Sequence, residues 1–473
     1  MSIIKSISGI RGTIGGNPGD NLTPVEITKF SAAFGSFIIN QNPKIKSKIV
    51  VGRDSRLSGE MVKNLVVGTL LSQGIDIVDL GMSATPTVEM AVVSQEAHGG
   101  IIITASHNPQ GWNALKLLGG NGEFLSATEG AQILSLAEEN NFNYVTEDKL
   151  GFYVFNPYLE WDHIHKIIAL PLIDVEAIRA RDFKIVIDGI NSIGGKNVPH
   201  LLEAFGLKKE IFINCLPDGK FAHKPEPLQE NLTEIMAVVK KEKADLGIVV
   251  DPDVDRLAFI DENGEMMNEE YTLVAIADYV LENFSVIEKI FPGQYAKATV
   301  SNLSSSRALK DITEKHGGVY GAAAVGEVNV VAKMKELKAA IGGEGNGGVI
   351  FPPLHYGRDA LVGIGLFLTA LAKSGKTVSE FRNSLPNYFM VKDKIELAPG
   401  TQLNKILEKI KLEYTNEKIT DIDGLKIDWT DSWVHLRASN TEPIMRIYAE
   451  AKSKPEAKAK VDELKAKILA YIK

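Results

Sequence analysis

Residues 48–104 read KIVVGRDSRLSGEMVKNLVVGTLLSQGIDIVDLGMSATPTVEMAVVSQEAHGGIIIT. Short apolar runs at Lys48–Gly52, Ile75–Leu80 and Gly100–Thr104 predict buried strands, and helix-period stretches at Gly59–Gln73 and Thr87–Gln95 predict the helices between them. This is the rhythm of a parallel α/β layer. It restarts after a polar and aromatic linker at Asn140–Ala169. The second round has predicted strands at Phe183–Asp188, Glu210–Asn214 and Asp245–Val250, with helices near Gly195–Phe205 and at Leu228–Glu242. A third round predicts helices Tyr271–Asn283, Ser304–His316, Gly326–Glu336 and Asp359–Lys373 around strands Ala296–Val300 and Ala339–Ile341. From about Asn387 the pattern changes to a helix at Leu403–Leu412, strands Trp433–Arg437 and Ile444–Ala451, and a Lys/Glu-rich helix Lys454–Ile472, a small α+β unit. The expected segments are 1–150, 151–268, 269–386 and 387–473, three α/β units followed by one α+β unit.

The chain has 473 residues, 24% charged and 44% hydrophobic, a globular balance that excludes disorder and fibres. Its net charge of −8 argues against nucleic acid or an anionic membrane as a bulk electrostatic partner. Any anionic ligand must be caught locally. The lone Cys215 cannot form an intramolecular disulfide, Met1–Ile10 lacks the build of a signal peptide, and the apolar run Ala360–Ala372 is too short to span a bilayer. The expectation is a cytoplasmic protein.

Ligands of open parallel sheets gather at the carboxyl ends of strands, and four loops there concentrate polar groups. The first is Thr104-Ala105-Ser106-His107-Asn108-Pro109, with Lys116 ten residues on from Ser106. A serine leaving a buried strand beside a histidine and a lysine has the parts of a nucleophile with proton-transfer partners. A simple Asn-Pro turn is the plain alternative. A hydrolase elbow would need Gly at 104 and 108 and is rejected.

The second is Asp251-Pro252-Asp253-Val254-Asp255-Arg256. Carboxylates at i, i+2 and i+4 of an extended loop face one side and suit Mg²⁺. An EF-hand would need Gly where Arg256 stands, and a solvated acidic turn is the bland alternative. The third, Gly342 to Gly348, matches a dinucleotide spacing by chance but leads into Val349-Ile350-Phe351-Pro352 and not a helix. Its glycines let Glu344 and Asn346 approach sugar hydroxyls, unless it is a plain hairpin. The fourth, Arg437-Ala438-Ser439-Asn440-Thr441-Glu442-Pro443, reads as a phosphate nest or an ordinary β-turn. Gly375-Lys376-Thr377 is not a P-loop, because Ala370 stands where the first Gly belongs. His163 and His165, two apart in a predicted helix, read as surface residues and not metal ligands, and the Lys-rich last helix reads as a solvated face.

In this order and spacing the four loops, together with Gly9-Ile10-Arg11-Gly12, resemble the α-D-phosphohexomutase family over nearly the whole chain. The resemblance implies three α/β domains of one topology and a C-terminal domain like the TATA-box-binding-protein fold, around a central cleft. It implies a phosphoserine at Ser106, Mg²⁺ held by Asp251, Asp253, Asp255 and that phosphoserine, sugar hydroxyls read by Glu344 and Asn346, and a non-transferring phosphate bound by Arg437, Ser439, Asn440 and Thr441. Arg256 joins the substrate-binding set. Lys116 and His107 become the general acid/base candidates, and Arg11 a holder of phosphoserine or substrate. The implied reaction interconverts hexose 6-phosphate and 1-phosphate through a hexose 1,6-bisphosphate. The expected partners are sugar phosphates, with no nucleic acid or membrane, and the chain is expected as monomer or homodimer. Asn346 and Gly348 depart from the Gly-Glu-x-Ser-Gly-His pattern of many bacterial members, and the Glu-Gly-Asn-Gly-Gly version resembles phosphoglucosamine mutases. Phosphomannomutase/phosphoglucomutase activity is the alternative, and a Mg²⁺-dependent sugar phosphatase a weaker one, since it would not need the Arg437 loop.

Overall fold

The computed structural model describes residues 3–6, 9–398, 401–438 and 444–472. The chain divides into two compact units, Met1–Thr272 with Gly347–Glu380, and Leu273–Asn346 with Phe381–Lys473.

In the first unit the strands Lys48–Arg53, Asp76–Met82 and Gly99–Ile103 form the predicted parallel core of a sheet. Among the described residues that sheet has seven strands. In spatial order they are Ile4–Ser6, Gly9–Thr13, Trp112–Gly119, Gly99–Ile103, Lys48–Arg53, Asp76–Met82 and Tyr153–Phe155. Its first half is antiparallel, which the sequence rhythm did not indicate. The pairing Arg11↔Ala114 puts Arg11 and Lys116 on the same face, because alternate residues of a strand share a side. Gly9, at φ +114°, permits this register: a Cβ there would meet the Leu115 carbonyl oxygen at 2.1 Å.

A second sheet in this unit runs Leu257–Ile260, Leu246–Val250, Lys184–Asp188, Lys209–Ile213. Its last three strands are parallel, while Leu246–Val250 and Leu257–Ile260 pair antiparallel with Val250 opposite Leu257. The aspartate loop is thus the tip of a hairpin. The helix Ala360–Ser374 carries the longest apolar run and is buried from Ala360 to Leu371. Among the described residues no helix is long and apolar enough to cross a membrane. His163, on the helix Leu159–Ile168, corrects the sequence reading: it is 1% exposed, with its neighbour two residues on, His165, at the surface.

The second unit contains the parallel strands Val319–Ala323, Ala296–Asn302 and Ala339–Glu344 in that spatial order. It also contains, among the described residues, a five-stranded antiparallel sheet ordered Phe389–Glu396, Ile444–Ala451, Trp433–Ala438, Leu425–Asp428, Lys418–Thr420. The helix Lys454–Ile472 lays Ala457, Val461, Leu464 and Ile468 against this sheet, a helix-period stripe that leaves its lysines exposed or half-buried around it. The loop after Asn302 docks onto the antiparallel sheet. Arg307 Nη2 donates to Asp428 at 3.0 Å and to the Trp429 carbonyl at 2.9 Å, and Lys426 Nζ donates to the Leu303 carbonyl at 2.8 Å. His435 is 1% exposed, with Nδ1 2.9 Å from Ser304 Oγ and Nε2 2.6 Å from the Asp423 carbonyl.

Burial pushes the His435 imidazole down to about 4 from an ordinary value of 6.5. A neutral His435 therefore contributes stability that is fully present above pH 6.5 and lost as the pH falls toward 4. The loss approaches roughly 3 kcal/mol at full effect. Urea unfolding followed in the second unit should show wild type losing more stability than His435→Gln between pH 6.5 and 4; parallel pH profiles would contradict this.

Candidate active site

The serine loop is built around a buried guanidinium. Arg56, 1% exposed, donates from Nη2 to the carbonyls of Ser106 (2.6 Å) and Asn108 (2.7 Å), and from Nη1 to those of Pro109 (2.8 Å) and Trp112 (2.9 Å). Its Nε donates to Asp54 Oδ2 at 3.0 Å. The Thr104 hydroxyl also donates to that carboxylate, at 2.7 Å, and accepts the Ser106 amide at 2.9 Å. Ser106 sits at φ +44°, a conformation costly for a non-glycine residue unless its surroundings impose it. The planar, five-donor fork of Arg56 supplies that restraint.

In the hairpin tip, Val254 lies at φ +62° and is fully buried, a strained state for a β-branched residue. Amides of Asp255 and Arg256 donate to Asp251 Oδ1, each at 3.1 Å, which curls the loop so that its three carboxylates converge. Asp251, Asp253 and Asp255 are each 0% exposed, with ligand oxygens within 4.8 Å of one another. Around them, Lys116 Nζ is 2.7 Å from Asp253 Oδ2 and 3.5 Å from Asp255 Oδ2, Arg358 Nη2 is 2.7 Å from Asp255 Oδ2, and Thr85 Oγ1 donates to Asp253 Oδ2 at 2.6 Å. Asp253 Oδ1 and Asp255 Oδ1 are buried without a hydrogen-bond partner. Two orphaned anionic oxygens beside Asp251 are a hard-oxygen donor set that fits a divalent cation.

The two loops meet. Ser106 Oγ donates to Asp251 Oδ2 at 2.8 Å, and a further chain of hydroxyls, Ser55 to Ser192 at 2.9 Å and Ser192 to the Pro252 carbonyl at 2.6 Å, joins the loop after Arg53 to the hairpin tip. Burial, then Asp255 and Asp253, raise the Asp251 carboxyl well above its usual range. Asp255 goes the other way: burial works against it, but Arg358, Lys116 and Arg256 outweigh burial and hold it below the ordinary value. Burial also works against the Lys116 ammonium, and Asp253 and Asp255 override it, so Lys116 stays protonated. Arg256 Nη2 donates to His107 Nδ1 at 2.8 Å; with burial second, this guanidinium pushes His107 well below its ordinary value and fixes the neutral, Nε2-protonated ring. Arg11 is lowered by burial and then by Arg256, a crowding of cations that an anion would relieve.

The other two loops belong to the second unit. Glu344 ends its strand buried, and its Oε1 accepts Asn302 Nδ2 at 2.8 Å and the Gly326 amide at 3.1 Å; Asn346 is half-buried. Arg437 is 8% exposed with Nε 3.4 Å from Asp423 Oδ2. Ser439, Asn440 and Thr441 lie outside the described residues.

Four sequence-family profiles match consecutive parts of the chain: Phosphoglucomutase/phosphomannomutase, alpha/beta/alpha domain I at residues 3–144, domain II at 161–264, domain III at 268–389, and the C-terminal domain at 389–467. The chain belongs to the phosphoglucomutase/phosphomannomutase family. It is 37% identical to a phosphoglucomutase/phosphomannomutase of Thermococcus kodakarensis, covering 94% of this chain and 95% of the relative. It is 34% identical to a phosphoglucosamine/phosphogalactosamine mutase of Sulfurisphaera tokodaii, covering 98% and 99%. A solved phosphoglucomutase/phosphomannomutase family protein from Burkholderia thailandensis superposes with a TM-score of 0.84 at 25% identity, over 99% of this chain and 97% of that one. The four-domain α/β architecture and the phosphohexomutase class follow from these matches.

Within this family member, the first unit brings Ser106, His107, Lys116, Asp251, Asp253, Asp255 and Arg256 together. Sequence reasoning missed Asp54, Arg56, Thr85 and Arg358, which hold those groups in place. Asp54 and Arg56 carried a readable signal, charged residues just past the strand Lys48–Arg53; Arg358 and Thr85 are defined only by tertiary contact. Arg56→Lys should lower kcat by about 10–100-fold and destabilise the protein by about 3–5 kcal/mol, because one ammonium cannot serve four carbonyls and Asp54. Steady-state kinetics and urea unfolding check this; wild-type values would refute the role.

Proposed function

We propose that this phosphohexomutase converts glucosamine 6-phosphate to glucosamine 1-phosphate, using phosphorylated Ser106 as donor and a hexose 1,6-bisphosphate as intermediate. The observation that carries the reading is Ser106 Oγ 2.8 Å from Asp251, inside a buried three-aspartate cluster with two orphaned oxygens. Mg²⁺ is the fitting ion for Asp251, Asp253 and Asp255, and when bound it neutralises charge on the transferring phosphoryl group.

In the forward step the P–Oγ bond of phosphoserine 106 breaks as a bond forms from phosphorus to the sugar O1. The Lys116 ammonium beside Asp253 and Asp255 is assigned to stabilise negative charge and to give a proton to the departing Oγ, and the proton of the sugar hydroxyl restores it, so that the step releases no net proton. His107 is neutral, so it can accept a proton only by releasing the Arg256 guanidinium from Nδ1. The bisphosphate then turns over, and its other phosphoryl group returns to Ser106. Arg11 and Arg256 are the cations assigned to the bound phosphate. Glu344 and Asn346 are assigned to sugar hydroxyls, and Arg437, Ser439, Asn440 and Thr441 to the phosphate that is not transferred. The working boundaries for these parts are 1–150, 151–268, 269–386 and 387–473.

The glucosamine assignment draws support from the Glu344-Gly345-Asn346-Gly347-Gly348 loop and from the Sulfurisphaera relative. The Thermococcus relative, at 37% identity, favours a second reading, phosphomannomutase/phosphoglucomutase.

Intact mass after incubation with glucose 1,6-bisphosphate should show one added phosphoryl group on wild type and none on Ser106→Ala, and that variant should lose interconversion by at least about 10³-fold. An unphosphorylated wild type or an active Ser106→Ala would overturn the mechanism. Relative kcat/KM for glucosamine, glucose and mannose 6-phosphates should rank glucosamine first; a higher value for either of the others would select the second reading.

A further inference from the structure

One cluster of ionisable side chains that phosphoryl transfer does not use, among the described residues of the first unit, has the makings of a metal site. His163 Nε2 lies 2.8 Å, and His355 Nε2 3.2 Å, from the same oxygen, Asp359 Oδ2. The three candidate ligand atoms are within 4.8 Å of one another. His163 is 1% and Asp359 0% exposed.

What separates this cluster from an ordinary hydrogen-bonded histidine is that His163 and Asp359 have the opposite atom hydrogen-bonded, and His355 has its own facing a carboxylate. His163 Nδ1 is 2.9 Å from Thr87 Oγ1. His355 Nδ1 is 3.4 Å from Glu89 Oε2, giving the order carboxylate, imidazole, centre. Asp359 Oδ1 accepts the amides of Leu361 at 2.8 Å and Val362 at 3.2 Å, at the start of the helix Ala360–Ser374. Outer partners of this kind orient imidazole and carboxylate groups toward a metal ion. Glu89 and Asp359 are both buried; burial works against the His355 imidazolium, but these two carboxylates override it and raise it to about 10, so that without a metal a proton on His355 bridges them, and a divalent ion would take that proton's place.

We propose that His163, His355 and Asp359 form a site for a divalent transition-metal ion of the zinc or cobalt class, with water as the fourth ligand. Two nitrogens and one oxygen select such an ion over Mg²⁺, which the all-oxygen aspartate loop prefers. Tetrahedral zinc with arms of about 2.0–2.1 Å spreads its ligands to about 3.3 Å, close to the 2.8 and 3.2 Å that separate the two histidine nitrogens from Asp359 Oδ2. The ion would tie the helix Leu159–Ile168 to the segment 355–359, with Thr87 and Glu89 of the helix Thr85–Ser94 as outer partners. Those same pieces carry Thr85, which donates to Asp253, and Arg358, which donates to Asp255.

The test is titration of the metal-stripped full-length protein with Co²⁺ in excess Mg²⁺, read by the intense visible bands of four-coordinate cobalt. One Co²⁺ per chain is expected, with the bands lost in His163→Gln and His355→Gln, affinity weakened about tenfold in Glu89→Gln, and no change in Asp253→Asn. Wild type without the bands, bands that survive both histidine substitutions, or bands lost in Asp253→Asn would overturn the site and leave a metal-free imidazole–carboxylate network. Should the histidine variants fail to fold, X-ray absorption of the cobalt-loaded wild type decides: two imidazoles in the coordination shell are expected, and a shell without imidazole contradicts the proposal. None of these readouts depends on mutase activity.

Discussion

Three carboxylates within five residues, each fully buried and within 4.8 Å of the others, are an arrangement that a folded protein does not tolerate without compensation. A like-charge pair about 4 Å apart costs roughly 4 kcal/mol at an effective dielectric of 20. Compensation comes from Lys116 and Arg358, at 2.7 Å from Asp253 and Asp255, with Arg256 farther off. It is incomplete: Asp251 is left with a raised affinity for protons, and Asp253 Oδ1 and Asp255 Oδ1 have no hydrogen-bond partner. The unfilled oxygens are what a divalent cation would bind, and that cation could in turn face a phosphoryl group on Ser106.

The groups that answer this charge come from separate stretches of chain, and the backbone geometry follows from that need. Lys116 is delivered by a strand whose neighbour needs Gly9 for its register. Arg56 gathers four carbonyls of the serine loop and so fixes Ser106 in a left-handed turn pointing at Asp251. Val254 accepts a strained φ of +62° to bring three side chains to one side. Both positions lie in the loops where chemistry is assigned, and surrounding contacts over-determine them, although positive φ also occurs elsewhere, as at the buried Ile190.

Much of this was legible beforehand. The parallel strands of the first unit and the aspartate and serine loops at their carboxyl ends follow from apolar run length and strand-end placement, which are local properties. The strand Trp112–Gly119 was not legible, because it lies between two antiparallel neighbours, Gly99–Ile103 and Gly9–Thr13, and is buried from Asn113 to Leu118 with no in–out alternation to read. The strand Phe389–Glu396 was hidden by alternating lysines and acids on an exposed edge. His163 was misread as a surface residue because a polar side chain two positions from an exposed histidine gives no sign of the buried partner, Asp359, that receives it. Arg358 and Thr85 matter through contacts made at distances of 103 and 168 residues in sequence, beyond any local pattern.

The central claim is that the buried aspartate cluster is held short of charge balance and completed by Mg²⁺. Thermal unfolding of wild type and Asp251→Asn across a Mg²⁺ series tests it most directly. The account predicts that Mg²⁺ raises the melting temperature of wild type, and that Asp251→Asn is already more stable than wild type without Mg²⁺ and gains little or nothing on its addition. A wild type indifferent to Mg²⁺, or an equal Mg²⁺-dependent rise in both proteins, would contradict it.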